Sequence, residues 1–142
     1  MLMWAVFFLL SLKSYNTKPH YIMNSKFTTI LRLLLGIALL IFGVNKFFPF
    51  IPIFDMAPAA ANFIESLEST GYVLYIVAFL EIAIGLLLVI KKWVPFALIL
   101  LTPIALNIFL FHVFLDVSGI AVAIVIAAIN AILIYKYWKA YR

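Results

Sequence analysis

Apolar segments long enough to cross a lipid bilayer constrain this chain more than any other feature, and the segment from Gly71 to Ile90 constrains it most. At ~1.5 Å per helical residue it reaches across a ~30 Å hydrocarbon layer. Its only charge is Glu81, near the middle. An isolated carboxylate at that depth costs roughly 2.5–3.5 kcal/mol on insertion scales, so the fold must turn it inward and give it a partner or a proton. The chain has 142 residues, 68% of them hydrophobic and 11% charged, which lies outside the range of soluble domains. The expectation is an all-α, membrane-embedded four-helix bundle with no room for a soluble catalytic domain.

The spans are expected at about 28–48, 71–90, 93–114 and 119–138. Met1 to Leu12 is apolar but short of the ~17 residues that spanning needs, and no basic region precedes it as in a signal peptide. Residues 1–22 therefore read as a non-functional extension or a mis-called start, with the functional domain at 23–142. An interfacial N-terminal segment is the alternative. In the first span Ser25 or Thr28 is the N-cap candidate and Pro49 and Pro52 close the helix. Arg32, about one turn in, is expected to snorkel to headgroups. Gly36 and Gly43, seven apart, share a face for close packing. Residues 58–67 suggest a short amphipathic helix at the interface, able to lid a cavity. Pro103 should kink the third span. Ala123, Ala127 and Ala131 give the fourth a small-residue face, and Tyr135, Tyr137, Trp138 and Tyr141 an aromatic belt.

Charge settles orientation. Lys26, Lys91, Lys92, Lys136, Lys139 and Arg142 fall on one side of the expected topology and Asp55, Glu65, Glu68 and Asp116 on the other, so both termini are expected inside. The net charge of +5 and pI ≈ 9.6 thus reflect orientation and lipid headgroups rather than a nucleic-acid partner. The sequence has no Cys, which excludes disulfides, thiolate nucleophiles, Cys-ligated zinc and iron–sulfur clusters. His20 and His112 are the two imidazoles, too few for a haem ligand pair in the spans, and His112 with Asp116 is too sparse a set for a metal site.

The remaining polar residues gather in the outer half of the layer. From the rise per residue Glu81 lies ~12 Å deep, Asn107 ~10 Å, and His112, Asn45 and Lys46 within ~5 Å of that surface. Glu81 could accept from Lys46 or from the Asn107 amide, and Asp116 could orient the His112 ring, four residues away. Lys46 could equally snorkel outward. Such groups make either a polar pocket or hydrogen bonds that hold helices together where lipid offers no partner, worth about 0.6 kcal/mol each. Asn45 with Phe47 and Asn107 with Phe109 look alike, but the offset does not extend to the other spans, which weakens a repeat-built transporter.

The order and spacing of several motifs resemble the DoxX family of small four-helix membrane proteins. The resemblance covers about Thr28 to Tyr137: Arg32 with Gly36, Phe42 through Phe47, Pro58 and the Ala-rich stretch leading to Thr70-Gly71-Tyr72, Glu81 with Gly85, Pro95, and Asn107 through His112 to Asp116. It implies a bundle in a bacterial or archaeal cytoplasmic membrane and, from the family's namesakes, a link to thiosulfate:quinone oxidoreduction. The leading expectation is a non-autonomous subunit in quinone-linked redox chemistry. Glu81 and His112 would bind the quinone head group and exchange protons, with Asn45, Lys46, Asn107 and Asp116 around them. The chain would carry no intrinsic cofactor and would need a redox partner protein. The rival, of another class, is a non-enzymatic scaffold or assembly subunit, and a small-solute transporter is the third reading.

Overall fold

The computed structural model describes residues 2–15, 26–52 and 55–141. The expected start at Met23, the Ser25 cap and His20 lie outside the described residues. Six α-helices follow in order: α1 (Leu2–Tyr15), α2 (Lys26–Phe47), α3 (Pro58–Ser69), α4 (Val73–Val89), α5 (Val94–Phe114) and α6 (Ile120–Lys136), with 3-10 turns at Val117–Gly119 and Trp138–Tyr141. No strand occurs among the described residues. By length and composition α2, α5 and Val117–Lys136 can each cross a hydrocarbon layer, and the bent pair α3 and α4, turning by 91°, brings the number to as many as four.

The 91° turn is built by Thr70 and Gly71. Thr70 Oγ1 donates to the Leu67 carbonyl that ends α3 and accepts from the amides of Tyr72 and Val73 that start α4. Gly71 takes φ +79°, where a side chain would be strained. The turn between α4 and α5 is tighter and uses two non-glycine residues in the left-handed region, Lys91 (φ 58°) and Trp93 (φ 51°).

The long helices pack in a circuit, α2 against α4, α4 against α5, α5 against α6 and α6 back against α2. Leu35 and Leu39, Ile84 and Leu88, Leu98 and Leu101, and Ile126 and Leu133 meet in the core. The outward faces are apolar as well: Ile30, Leu34, Ile37, Phe79, Leu86, Leu106, Val122 and Val125 are all exposed. Helices that are hydrophobic all round fit a lipid surround rather than water.

The α2–α4 pair is the closest because glycines face each other across it. A Cβ on Gly85 would stand 2.7 Å from the Gly36 carbonyl oxygen, and one on Gly36 would stand 3.0 Å from that of Gly85. The shared face expected for Gly36 and Gly43 is thus the α4-facing one. On α6 the buried stripe is Ala123, Ile126, Asn130 and Leu133; Ala131 is exposed, which corrects the expected four-residue alanine face. The spacing that packs α6 alternates three and four, as the 3.6-residue turn requires. Tyr137 is likewise buried rather than part of an aromatic belt, while Tyr135 and Trp138 are exposed.

Candidate functional site

Glu81 belongs to the buried stripe of α4, with Ala78, Ile84, Gly85 and Leu88, and the opposing stripe of α2 includes Arg32, Leu35, Gly36, Leu39 and Gly43. Gly43 leaves room for it: a Cβ there would lie 3.2 Å from that of Glu81. One turn further along α2, Lys46 reaches inward and places Nζ 2.7 Å from Glu81 Oε2. Glu81 is 2% exposed and Lys46 29%, so the carboxylate is enclosed and its partner reaches the surface. A charge-assisted bond of this length is among the stronger hydrogen bonds available to a protein. Lys46 therefore turns to the carboxylate rather than to headgroups, because the carboxylate has nowhere else to go.

Arg32 departs from expectation in the same direction. It is 5% exposed, and its Nη1 donates to the carbonyls of Leu88 and Val89, the latter at 3.2 Å. These are among the last carbonyls of α4, which have no partner within their own helix. A cation there also opposes the negative end of the helix dipole. Snorkelling loses to capping because position 32 lies four residues before Gly36, on the face pressed against α4. That spacing was the available signal for it.

The other expected residues are bonded away from Glu81. Asn45 Oδ1 accepts the amides of Phe50 and Ile51, both at 2.8 Å, and closes the chain just after α2. Asn107 is exposed and donates to the Pro103 carbonyl in its own helix. His112 Nδ1 lies 2.8 Å from the Asp116 backbone oxygen, not its carboxylate, and that carboxylate instead accepts from Ser118 Oγ at 2.7 Å. The His112 ring rests on Gly119, where any Cβ would collide with it. Among the described residues the structure thus joins Lys46 to Glu81 and sets His112 and Asp116 into the α5–α6 turn.

A half-buried polar contact, between buried Asn130 and exposed Thr102, was not among the expected pairs. Asn130 Nδ2 donates to Thr102 Oγ1 at 3.1 Å, linking α6 to α5, and Thr102 Oγ1 donates in turn to the Leu98 carbonyl. Helix α5 runs through Pro103 as one element. No three His, Asp or Glu side chains among the described residues come together as a ligand set.

Three of the polar contacts of the apolar helices tie one helix to another. Lys46 with Glu81 and Arg32 with the end of α4 tie α2 to α4, and Asn130 with Thr102 ties α6 to α5. Comparison with known proteins gives a family model, DoxX, matching residues 27–113, more than half of the chain. No curated protein and no solved structure matches it.

Proposed function

Because the chain belongs to the DoxX family, we propose that it is a four-span membrane scaffold, a non-enzymatic subunit that holds a fixed apolar surface for a membrane complex, with both termini inside. The observation that carries this reading is the Lys46–Glu81 pair at 2.7 Å. A mid-helix acid that is enclosed and bonded to a neighbouring helix serves as a tie between helices, and the expense of placing it in lipid is met by that bond. Arg32, at the other end of the same α2–α4 contact, and Asn130, between α6 and α5, support the same role.

A quinone-linked role is the second reading, and one observation favours it. Lys46 is 29% exposed, so the ion pair is reachable from the surface and its proton could be exchanged there. The test is native mass spectrometry of the protein purified gently from its own membranes, wild type beside the double substitution Lys46→Met with Glu81→Gln. The scaffold reading expects no quinone with either chain, and a companion protein with the wild type that is recovered less with the double variant, whose α2–α4 tie is gone. A stoichiometric quinone in the wild type that is lost in the double variant would overturn it and assign the pair to quinone binding.

A further inference from the structure

A groove runs along the seam between α2 and α6. Its walls are apolar, with Leu34, Ala38 and Phe42 on one side and Val122, Val125 and Ile129 on the other, and its volume is ≈ 380 Å³. That volume is within the ~300–1,000 Å³ of small-molecule pockets. The groove exists because the α2 glycines are turned to α4, where Gly36 and Gly43 make their close approaches. Across the α6 seam, larger side chains hold the backbones apart.

The two ends of this groove differ in charge. Toward the start of α2 and the end of α6, Lys26 lies ~12 Å beyond Leu34 and Lys136 ~10 Å beyond Ile129, at ~1.5 Å per residue. Lys136 Nζ stands 5.9 Å from the centroid of the Phe27 ring, which holds the cation across the seam beside the first turn of α2. The sequence has no Asp or Glu before Asp55 or after Asp116. Neither helix therefore supplies a carboxylate to these two lysines.

We propose that the α2–α6 seam binds one anionic phospholipid, with an acyl chain in the groove and the phosphate between Lys26 and Lys136. The charge pattern selects this occupant: the apolar groove lies along the same two helices as a pair of cations ~10–12 Å further on, which those helices leave without an acid. An amphiphile with a negative head and an apolar tail satisfies both parts, and basic pockets between membrane helices bind such headgroups. A partner helix would cover the wall but would leave the lysines without a counter-charge. The proposal is independent of whether the chain is a scaffold or a quinone-linked subunit.

The full chain is incorporated in phosphatidylcholine vesicles containing phosphatidylglycerol, extracted, and its retained lipids are read by native mass spectrometry. The wild type is expected to keep one phosphatidylglycerol in preference to phosphatidylcholine, also in excess inorganic phosphate. Lys26→Gln with Lys136→Gln should lower that retention by roughly tenfold or more, whereas Lys26→Arg with Lys136→Arg should preserve it. Ala38→Trp, or Val125→Trp from the opposite wall, fills the groove and should also lower it with both lysines in place; the variant whose thermal unfolding matches the wild type decides. Equal retention of the two lipids, displacement by inorganic phosphate, or full retention in the well-folded groove-filled variant overturns the proposal. So does a wild type that holds a second copy of the chain at Val125 in place of lipid.

Discussion

Lys46 and Glu81 are unequally enclosed, 29% against 2% exposed, and this sets what each substitution does. Lys46→Met strands a carboxylate that cannot reach the surface, and breaking a buried pair in this way costs about 3–5 kcal/mol. Glu81→Gln leaves a lysine that can swing outward and an amide that can still bond, so its cost should be nearer roughly 1 kcal/mol, the worth of one ordinary hydrogen bond. Thermal unfolding in detergent should therefore rank Lys46→Met well below Glu81→Gln, with the double variant above Lys46→Met alone. Equal losses for the two single variants would show that the pair is not enclosed as described. At the α5–α6 turn, Gly119→Ala drives a methyl group into the His112 ring. The ring must leave the Asp116 carbonyl, with an expected loss of about 1–3 kcal/mol. His112→Ala placed beside Gly119→Ala should remove most of that penalty, which a double-mutant cycle would read.

Between elements, what matters is which atom a new side chain would meet. At Gly85 a Cβ meets the backbone oxygen of Gly36 at 2.7 Å, whereas at Gly43 the nearest backbone atom, the Ala78 oxygen, is at 3.0 Å and the 2.7 Å neighbour is the Ile82 side chain. Gly85→Ala should force α2 from α4 and destabilise by about 1–3 kcal/mol, and Gly43→Ala should do so by less. Circular dichroism melts of the two variants check the order. Arg32 works at the same interface from its other end. Arg32→Met removes the donors from the last carbonyls of α4, and leaving such groups unsatisfied costs about 1–3 kcal/mol. Element positions were legible in the sequence because apolar runs of spanning length, bounded by prolines, glycines and lysines, have few alternatives. The expected spans at 71–90 and 93–114 correspond to helices at Val73–Val89 and Val94–Phe114. Which side of a helix faces which neighbour was less legible, since nearly every side of these helices is apolar and periodicity carries little signal.

Taken whole, the molecule separates its charges by end. The Arg32 contact with Leu88 and Val89, the Lys136 contact with Phe27 and the Tyr141 hydrogen bond to the Pro95 carbonyl place the lysines at 26, 91, 92, 136 and 139 at one end. Stacking of Phe47 with Tyr75 and contact of Phe63 with Phe111 gather the opposite end, near Glu65, Glu68 and Asp116. The positive end is expected inside. The natural absence of cysteine makes this directly measurable with single cysteines and a membrane-impermeant maleimide. Ser66→Cys should react in intact cells, and Lys139→Cys only after permeabilisation; the reverse pattern would overturn the orientation.

The sequence by itself determined the helical class, the apolar outer surface and the positions of α2, α4, α5 and α6, though not α1, because apolar length and charge sign act one residue at a time and survive without knowledge of partners. It also marked Glu81 as a residue needing a partner, since the expense of a mid-helix acid is local. Only the tertiary structure decided which partner it has. Lys46 had two open directions, and Asn45, Asn107 and His112 each had backbone carbonyls or amides within reach that no spacing rule ranks against a distant side chain. For Lys46 and Arg32 the choice depends on how closely α2 approaches α4, which the close approach of Gly36 and Gly85 sets, whereas Asn45, Asn107 and His112 bond within their own helix, loop or turn. Polar pairing between helices in a lipid surround is therefore decided by helix separation, a property of two elements together.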